Sequence, residues 1–247
     1  MTDLIRAELL KLRTLRIFWW SIVATISFVP VSIAQAIFAK PSRAGLDSSE
    51  GVRNVFSAGS SGGVLVLLIG IVVIAGEFRH NTVTSTFLIT PDRKRVILAK
   101  LAASSLVGVA LGIIASLLTL AIALPWLANR DVTLASHGTD IAAVLLGGIA
   151  ATAISALVGV GFGALVTNQT LAITVALIWS FVVDGMLVSF LPGVGRWTPG
   201  GAASALSGVA TANGGLLPIW AAAALFTAYG LAFAGAGSRL IMRRDIA

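Results

Sequence analysis

Six times along the chain, apolar residues run on long enough to cross the roughly 30 Å hydrocarbon core of a bilayer, which takes about 20 helical residues. These stretches lie near 17–38, 57–76, 96–125, 141–166, 170–190 and 217–238. No water is present at that depth to satisfy backbone N–H and C=O groups, so each crossing must be helical. The expected fold class is an all-α membrane protein, with one transmembrane domain over residues 1–247. Only 11% of the residues are charged, against about 25% in soluble domains, too few to cover a water-facing surface. The third stretch is longer than a bilayer requires and predicts a tilted or protruding helix. The second opens on small and polar residues, Ser57 to Gly63, and becomes firmly apolar at Val64. Arg6, Lys11, Arg13 and Arg16 before the first stretch imitate a signal peptide, but an apolar run of about 22 residues exceeds the roughly 7–15 of a signal core and reads as a retained span.

Charge sets the expected orientation. Segments 1–16, 77–100 and 239–247 hold 12 of the 17 basic residues: Arg6, Lys11, Arg13, Arg16, Arg79, Arg93, Lys94, Arg95, Lys100, Arg239, Arg243 and Arg244. An even number of spans puts these segments on one side. Lys40, Arg43, Arg53, Arg130 and Arg196 fall on the other, where acids balance them, leaving the whole net charge of +7 on the first side. Basic residues favour the cytoplasm, so both termini are expected there, in a multi-pass protein of the plasma (inner) membrane. Trp19 and Trp20 then sit near the inner interface, and Trp126, Trp197 and Trp220 near the outer one, as aromatic anchors do.

Several chemistries are excluded. Cysteine is absent, and His80 and His137 lie in different polar segments, so no metal cluster is expected. No G-x-x-x-x-G-K-[ST] loop is present to cradle nucleotide phosphates. No nucleophile–base set or carboxylate pair lies in the spans, so no catalytic residue is assigned. The basic residues form no aromatic-interleaved polar surface, which argues against nucleic acid despite a pI of about 11.1. Asn168-Gln169-Thr170 matches a glycosylation sequon but falls on the expected cytoplasmic side.

Four segments carry more information. In residues 1–16, Leu4, Ile5, Leu9, Leu12 and Leu15 share one helical face, which Glu8 and Arg16 interrupt, while Lys11 and Arg13 lie elsewhere. The segment reads as an interfacial helix resting on membrane lipid, or as a basic flank that only sets topology. Residues 77–95 form the largest cytoplasmic connection. Val83 and Phe87 are i,i+4 neighbours on a short helix, and Thr90-Pro91 starts the next one. Such an apolar face outside the membrane either meets a partner or folds back on the bundle. Glu77, at the unfavourable C-terminal end of the second span, is either solvated or compensated by an arginine such as Arg79 or one from the N-terminal helix. Residues 191–216, rich in Gly, Ala and Ser, are too apolar for an exposed loop and too broken for a span; they fit a re-entrant extracellular segment protected by protein. Asp184, the one ionisable residue read as lying within a span, either caps that segment or faces a substrate path. In the fourth span Gly147, Ala151, Ser155, Gly159 and Gly163 form a small-residue ridge for close packing, within the chain or between chains.

Two segments resemble a known family. Arg6 to Arg16 followed by Trp19-Trp20, and Gly76-Glu77-Phe78-Arg79-His80-Asn81-Thr82 with Thr86, Pro91, Arg93 and Ala99-Lys100, resemble the ABC-2 type transporter permeases, especially actinobacterial ones. Asn81 departs from the Gly common there. The resemblance implies the membrane subunit of an ABC exporter, which dimerises with a second copy or a paralogue and binds separate ABC ATPase subunits holding ATP and Mg. It implies ATPase coupling through Glu77, Phe78, Arg79, Val83 and Phe87, with a coupling helix near His80 to Leu88. It implies a contact role for the interfacial helix with Glu8, Lys11 and Arg13, and second and fifth spans lining the dimer interface. Two other classes stand beside it: a secondary transporter or channel without an ATPase, which internal repeats would favour, and a non-transporting sensor or scaffold. An ATPase frame adjacent to this one favours the exporter.

The charge asymmetry predicts that a cysteine at Ser85, in a chain with none of its own, reacts with an impermeant maleimide only after the membrane is opened. Labelling from outside intact cells would reverse the topology.

Overall fold

A computed structural model gives the fold and describes residues 1–39, 42–79, 93–132, 134–209 and 215–243. Among them the chain is helix and turn, with no strand. Six helical stretches are long and apolar enough to cross a membrane: Arg16–Ala39, Ser49–Arg79, Arg95–Ala128, Gly138–Leu165, Gln169–Phe190 and Ile219–Leu240. They coincide with the six apolar stretches of the sequence, and only the second starts markedly earlier. The protein is a multi-pass membrane protein.

In chain order the helices are α1 (Thr2–Thr14), α2 (Arg16–Ala39), α3 (Arg43–Leu46), α4 (Ser49–Phe56), α5 (Gly63–Arg79), α6 (Arg93–Ala128), α7 (Gly138–Leu165), α8 (Gln169–Phe190), α9 (Pro192–Gly195), α10 (Pro199–Leu206) and α11 (Ile219–Arg243). Helix α7 is the centre, packed on α5, α6 and α11. Its small-residue ridge serves contacts within this chain. A Cβ added at Gly159 would strike the Leu67 carbonyl of α5, and one added to Gly70 of α5 would come 2.5 Å from the Ala156 carbonyl of α7. Gly108 of α6 lies as close to α7: its Cβ would stand 2.7 Å from the Thr152 carbonyl. Gly161 faces α11, Gly163 meets Ile71 and Ile74 of α5, and Gly147 meets Leu206 of α10. Lipid is as apolar as leucine, so helices gain by leaving it only when backbones come this near.

The outer members are held by single stripes. Helix α2 buries Ser21, Thr25, Val29, Ile33 and Ile37, one every four residues. Val23, Ile26, Phe28, Val31 and Phe38 stay exposed, as on a helix whose remaining faces meet lipid. Hydropathy leaves 39–56 as a connection, yet the chain folds there into α3 and α4. Ser48 caps α4, its hydroxyl accepting from the Gly51 N–H at 3.0 Å. Val52, Val55 and Phe56 join Ile33, Ile37, Leu127 and Val144 in one core. Arg53 of α4 meets Asp140 in the first turn of α7 at 2.9 Å, where a carboxylate also complements the helix dipole.

Helix α1 is amphipathic as expected, but its apolar side docks on protein. Leu12 is buried with Ile69, Val73, Ala103 and Val107 of α5 and α6, and Ile5, Leu9 and Leu15 pack beside it. The chain turns sharply at the extended residue Leu15, and the Trp19 indole donates to the Arg13 carbonyl at 3.1 Å, satisfying a carbonyl that the end of α1 leaves free.

Gly159→Val should lower stability by about 1–3 kcal/mol or more, the penalty for overpacking. Gly138→Ala, whose added Cβ meets nothing within 4 Å, should be neutral. Thermal unfolding in detergent compares the two.

Candidate functional site: a charged junction and an apolar cavity

Three helices bring buried charge together at one end of the bundle. Lys100 lies in the second turn of α6, and its ammonium donates to Glu8 of α1 at 2.8 Å and to Glu77 of α5 at 2.7 Å. Lys11 donates to the same two carboxylates, at 2.9 Å to Glu8 and 3.3 Å to Glu77. The side chains of Lys100 and Glu8 are only 3% and 7% exposed, so neither charge would be tolerated without the other. Glu8 thus interrupts the apolar face of α1 for a reason: on a helix that docks on protein, it reaches a buried cation. Glu77 meets lysines where the sequence suggested an arginine, and the Arg79 guanidinium donates to Gln169 of α8 at 3.4 Å.

Burial pushes the Glu8 carboxyl up, but Lys100 and then Lys11 outweigh it and hold the group below its ordinary 4.5. Burial likewise pushes the Lys11 ammonium down, and Glu8 and Glu77 more than reverse this, raising it above 10.5. The stabilisation from Glu8 is complete above its ordinary value and is lost as pH falls through the lowered one. That from Lys11 is complete below 10.5 and is lost as pH rises through the raised value.

Of the other residues singled out on this side, Phe78 packs beside Ile74, Ile97, Leu101 and Ala234. Arg13 is exposed on α1. Val83 and Phe87 lie outside the described residues. Lys100 was missed as a site residue because it was counted with the basic connection. Its signal was present: a lysine followed by an apolar run belongs to a span, and a charge there is functional by default.

The second feature is a cavity of about 900 Å³ bounded by α5, α7, α8, α10 and α11. Leu67, Phe162, Trp179, Phe226, Tyr229 and Phe233 supply its apolar wall, and Ser60, Ser61, Ser155 and Ser204 its polar points. Helix α8 carries a π-helical turn at Trp179–Val183, a local widening often found at functional positions, and Asp184 follows directly. Asp184 is 7% exposed and lines the cavity. Its carboxyl group contacts Thr198, the Gly200 N–H and Trp179, at the first turn of α10, while Oδ1 has no hydrogen-bond partner. Asp184 therefore abuts the segment at 191–216 and also lines the cavity. The described part of that segment forms α9 and α10, and 210–214 lie outside the described residues. Ala202, Ala205 and Leu206 are buried against Ala151, Val158, Ala222 and Phe226 of α7 and α11, while Gly201 lies against the Gly195 carbonyl of α9. The Tyr229 hydroxyl ties α11 to the Trp197 carbonyl at 2.8 Å.

Lys100→Met should cost about 3–5 kcal/mol, because the buried Glu8 carboxylate is left with only the half-exposed Lys11. Adding Glu8→Gln should recover most of that loss, and unfolding in detergent measures both. Spin labels at Arg6 and Leu98 should report α1 docked at neutral pH and loosening as pH falls below 4.5.

No curated protein matches the chain. Residues 4–183 match the family described as ABC-2 family transporter protein, a region that contains all but the first two residues of α1, the whole charged junction, α7 and α8 up to the residue before Asp184. Over that majority of its 247 residues, the chain belongs to the ABC-2 family of transporter proteins.

Proposed function

We propose that this chain is the permease subunit of an ATP-driven exporter in the plasma membrane, with both termini cytoplasmic. Two permease subunits, identical or paralogous, bind separate ATPase subunits, which hold ATP and Mg and perform the hydrolysis. The observation that carries this reading is the junction at Lys100. Helix α5 stops at Arg79 and α6 begins at Arg93, so the connection between them joins the two helices that Lys100 ties together. A load placed on that connection reaches α5 and α6 at once, and α1 through Glu8.

Helix α5 also touches both features. Glu77 stands at the junction, and Leu67, ten residues earlier, lines the cavity. At 1.5 Å per residue the separation is about 15 Å along one rigid helix. Movement of the α5 end under the pull of an ATPase thus changes the cavity wall directly. In this scheme Glu77, Phe78 and Arg79 set the approach of the coupling segment, Val83 and Phe87 anchor it in a groove of the ATPase, and Glu8, Lys11 and Arg13 belong to the helix beside it. The exposed apolar face of α8, including Phe181 and Met186, supports dimerisation through the fifth span, and α9 and α10 form a re-entrant segment on the extracellular side.

Phe87→Ala should weaken association with the cognate ATPase about 30-fold, the equivalent of roughly 2 kcal/mol for losing an interface anchor. Membrane insertion should be unchanged. Asn129→Ala, an exposed change at the opposite end of the bundle, should have no effect. Copurification and transport per ATP hydrolysed are the measurements. Normal values for Phe87→Ala would remove the coupling assignment, and failure of the chain to bind any ATPase encoded beside it would remove the exporter reading.

A further inference from the structure

We propose that the cavity binds an organic cation with an apolar body, its ammonium group on Asp184. This deepens the exporter reading by naming a substrate class, and rests on that reading only for the direction of movement. Three observations converge. The cavity measures about 900 Å³, within the roughly 300–1,000 Å³ of sites for drug-sized molecules. Its wall is mainly apolar, and Asp184 is the one Asp, Glu, Lys or Arg among the described lining residues. No cation pairs with Asp184 among the described residues: Arg196, the basic residue beside this segment, lies over the Trp197 ring at 5.6 Å from its centroid.

The chemistry of the carboxyl group selects the ligand. One side of it is satisfied at the first turn of α10, while Oδ1 is buried without a partner. A buried acceptor without a donor is a standing penalty, larger for a charged group. Ser61 Oγ, also in the wall, is likewise buried and unpartnered. A ligand ammonium brings three donors and a positive charge, enough to serve Oδ1 once the carboxyl group turns toward it. A neutral amide or hydroxyl leaves the charge uncompensated, and an anion is repelled. The aromatic faces strengthen the choice: Trp179, Phe162 and Phe233 line the same space, and a cation near an aromatic face in a desolvated site gains further attraction. The remaining volume and apolar wall accommodate the hydrocarbon or ring portion of the ligand.

The test uses the intact chain in nanodiscs of zwitterionic lipid, without ATPase, so that its outcome is independent of the coupling assignment. The probe is monodansylcadaverine, a primary amine carrying an aromatic fluorophore, followed by energy transfer from protein tryptophan. Its N-acetylated derivative, which is uncharged, is the comparison. The expected result is saturable binding of the amine at least tenfold tighter than that of the acetylated probe. Asp184→Asn should abolish the difference while leaving the weaker, uncharged mode intact. Should Asp184→Asn fail to fold, Ser204→Trp, which fills the cavity from a half-buried position, should remove binding of both probes. Equal affinity for the two probes in the native chain would overturn the proposal. So would binding unaffected by both substitutions, or loss of binding on adding neutral lipid, which would mark the cavity as an acyl-chain site.

Discussion

Close backbone approach to α7 is the constraint on which the rest of this protein depends. In water, burying apolar surface would assemble these helices almost regardless of detail. In lipid that drive is absent, and the bundle holds only where helix backbones come nearly into contact. Gly70, Gly108, Gly147, Gly159, Gly161 and Gly163 provide those contacts with α5, α6, α10 and α11. Once these approaches are made, the positions of the charged junction and the cavity wall follow, because Glu77, Lys100 and Leu67 are carried on the same helices.

The two features divide the labour between them. At one end, buried opposite charges join the three helices that also share the apolar core around Leu12. At mid-bundle, a π turn and a segment of very small residues leave a space with a single carboxylate in its wall. The helix α5 belongs to both, which makes it the physical route between events in the cytoplasm and events in the membrane under the proposed mechanism.

Most of the architecture was legible in the sequence. Hydropathy alone located six spans, because a chain this apolar has one solution at each crossing. The small-residue ridge of α7 was visible as Gly147 to Gly163, although only the structure shows which helices of the same chain it meets. Residues 49–56 were not legible: a short helix whose apolar residues serve a local core carries no span-length signal. Lys100 was hidden by proximity to Arg93, Lys94 and Arg95, since a count of basic residues cannot distinguish a charge that faces water from one that turns inward. Asp184 was conspicuous as a charge in an apolar run, but its double contact with α10 and with the cavity depends on a helical irregularity that periodicity does not encode.

The separation along the chain between Glu8 and its partner has a consequence for how the protein is made. Glu8 and Lys100 are 92 positions apart, so when the N-terminal helix leaves the ribosome only Lys11 is at hand and the buried lysine that completes the site has not yet been synthesised. Glu8 must wait at the aqueous boundary while α2 to α5 enter the membrane. It is drawn into place only after the start of α6 arrives. The first helix to be translated therefore cannot take its seat until the third span has begun to emerge.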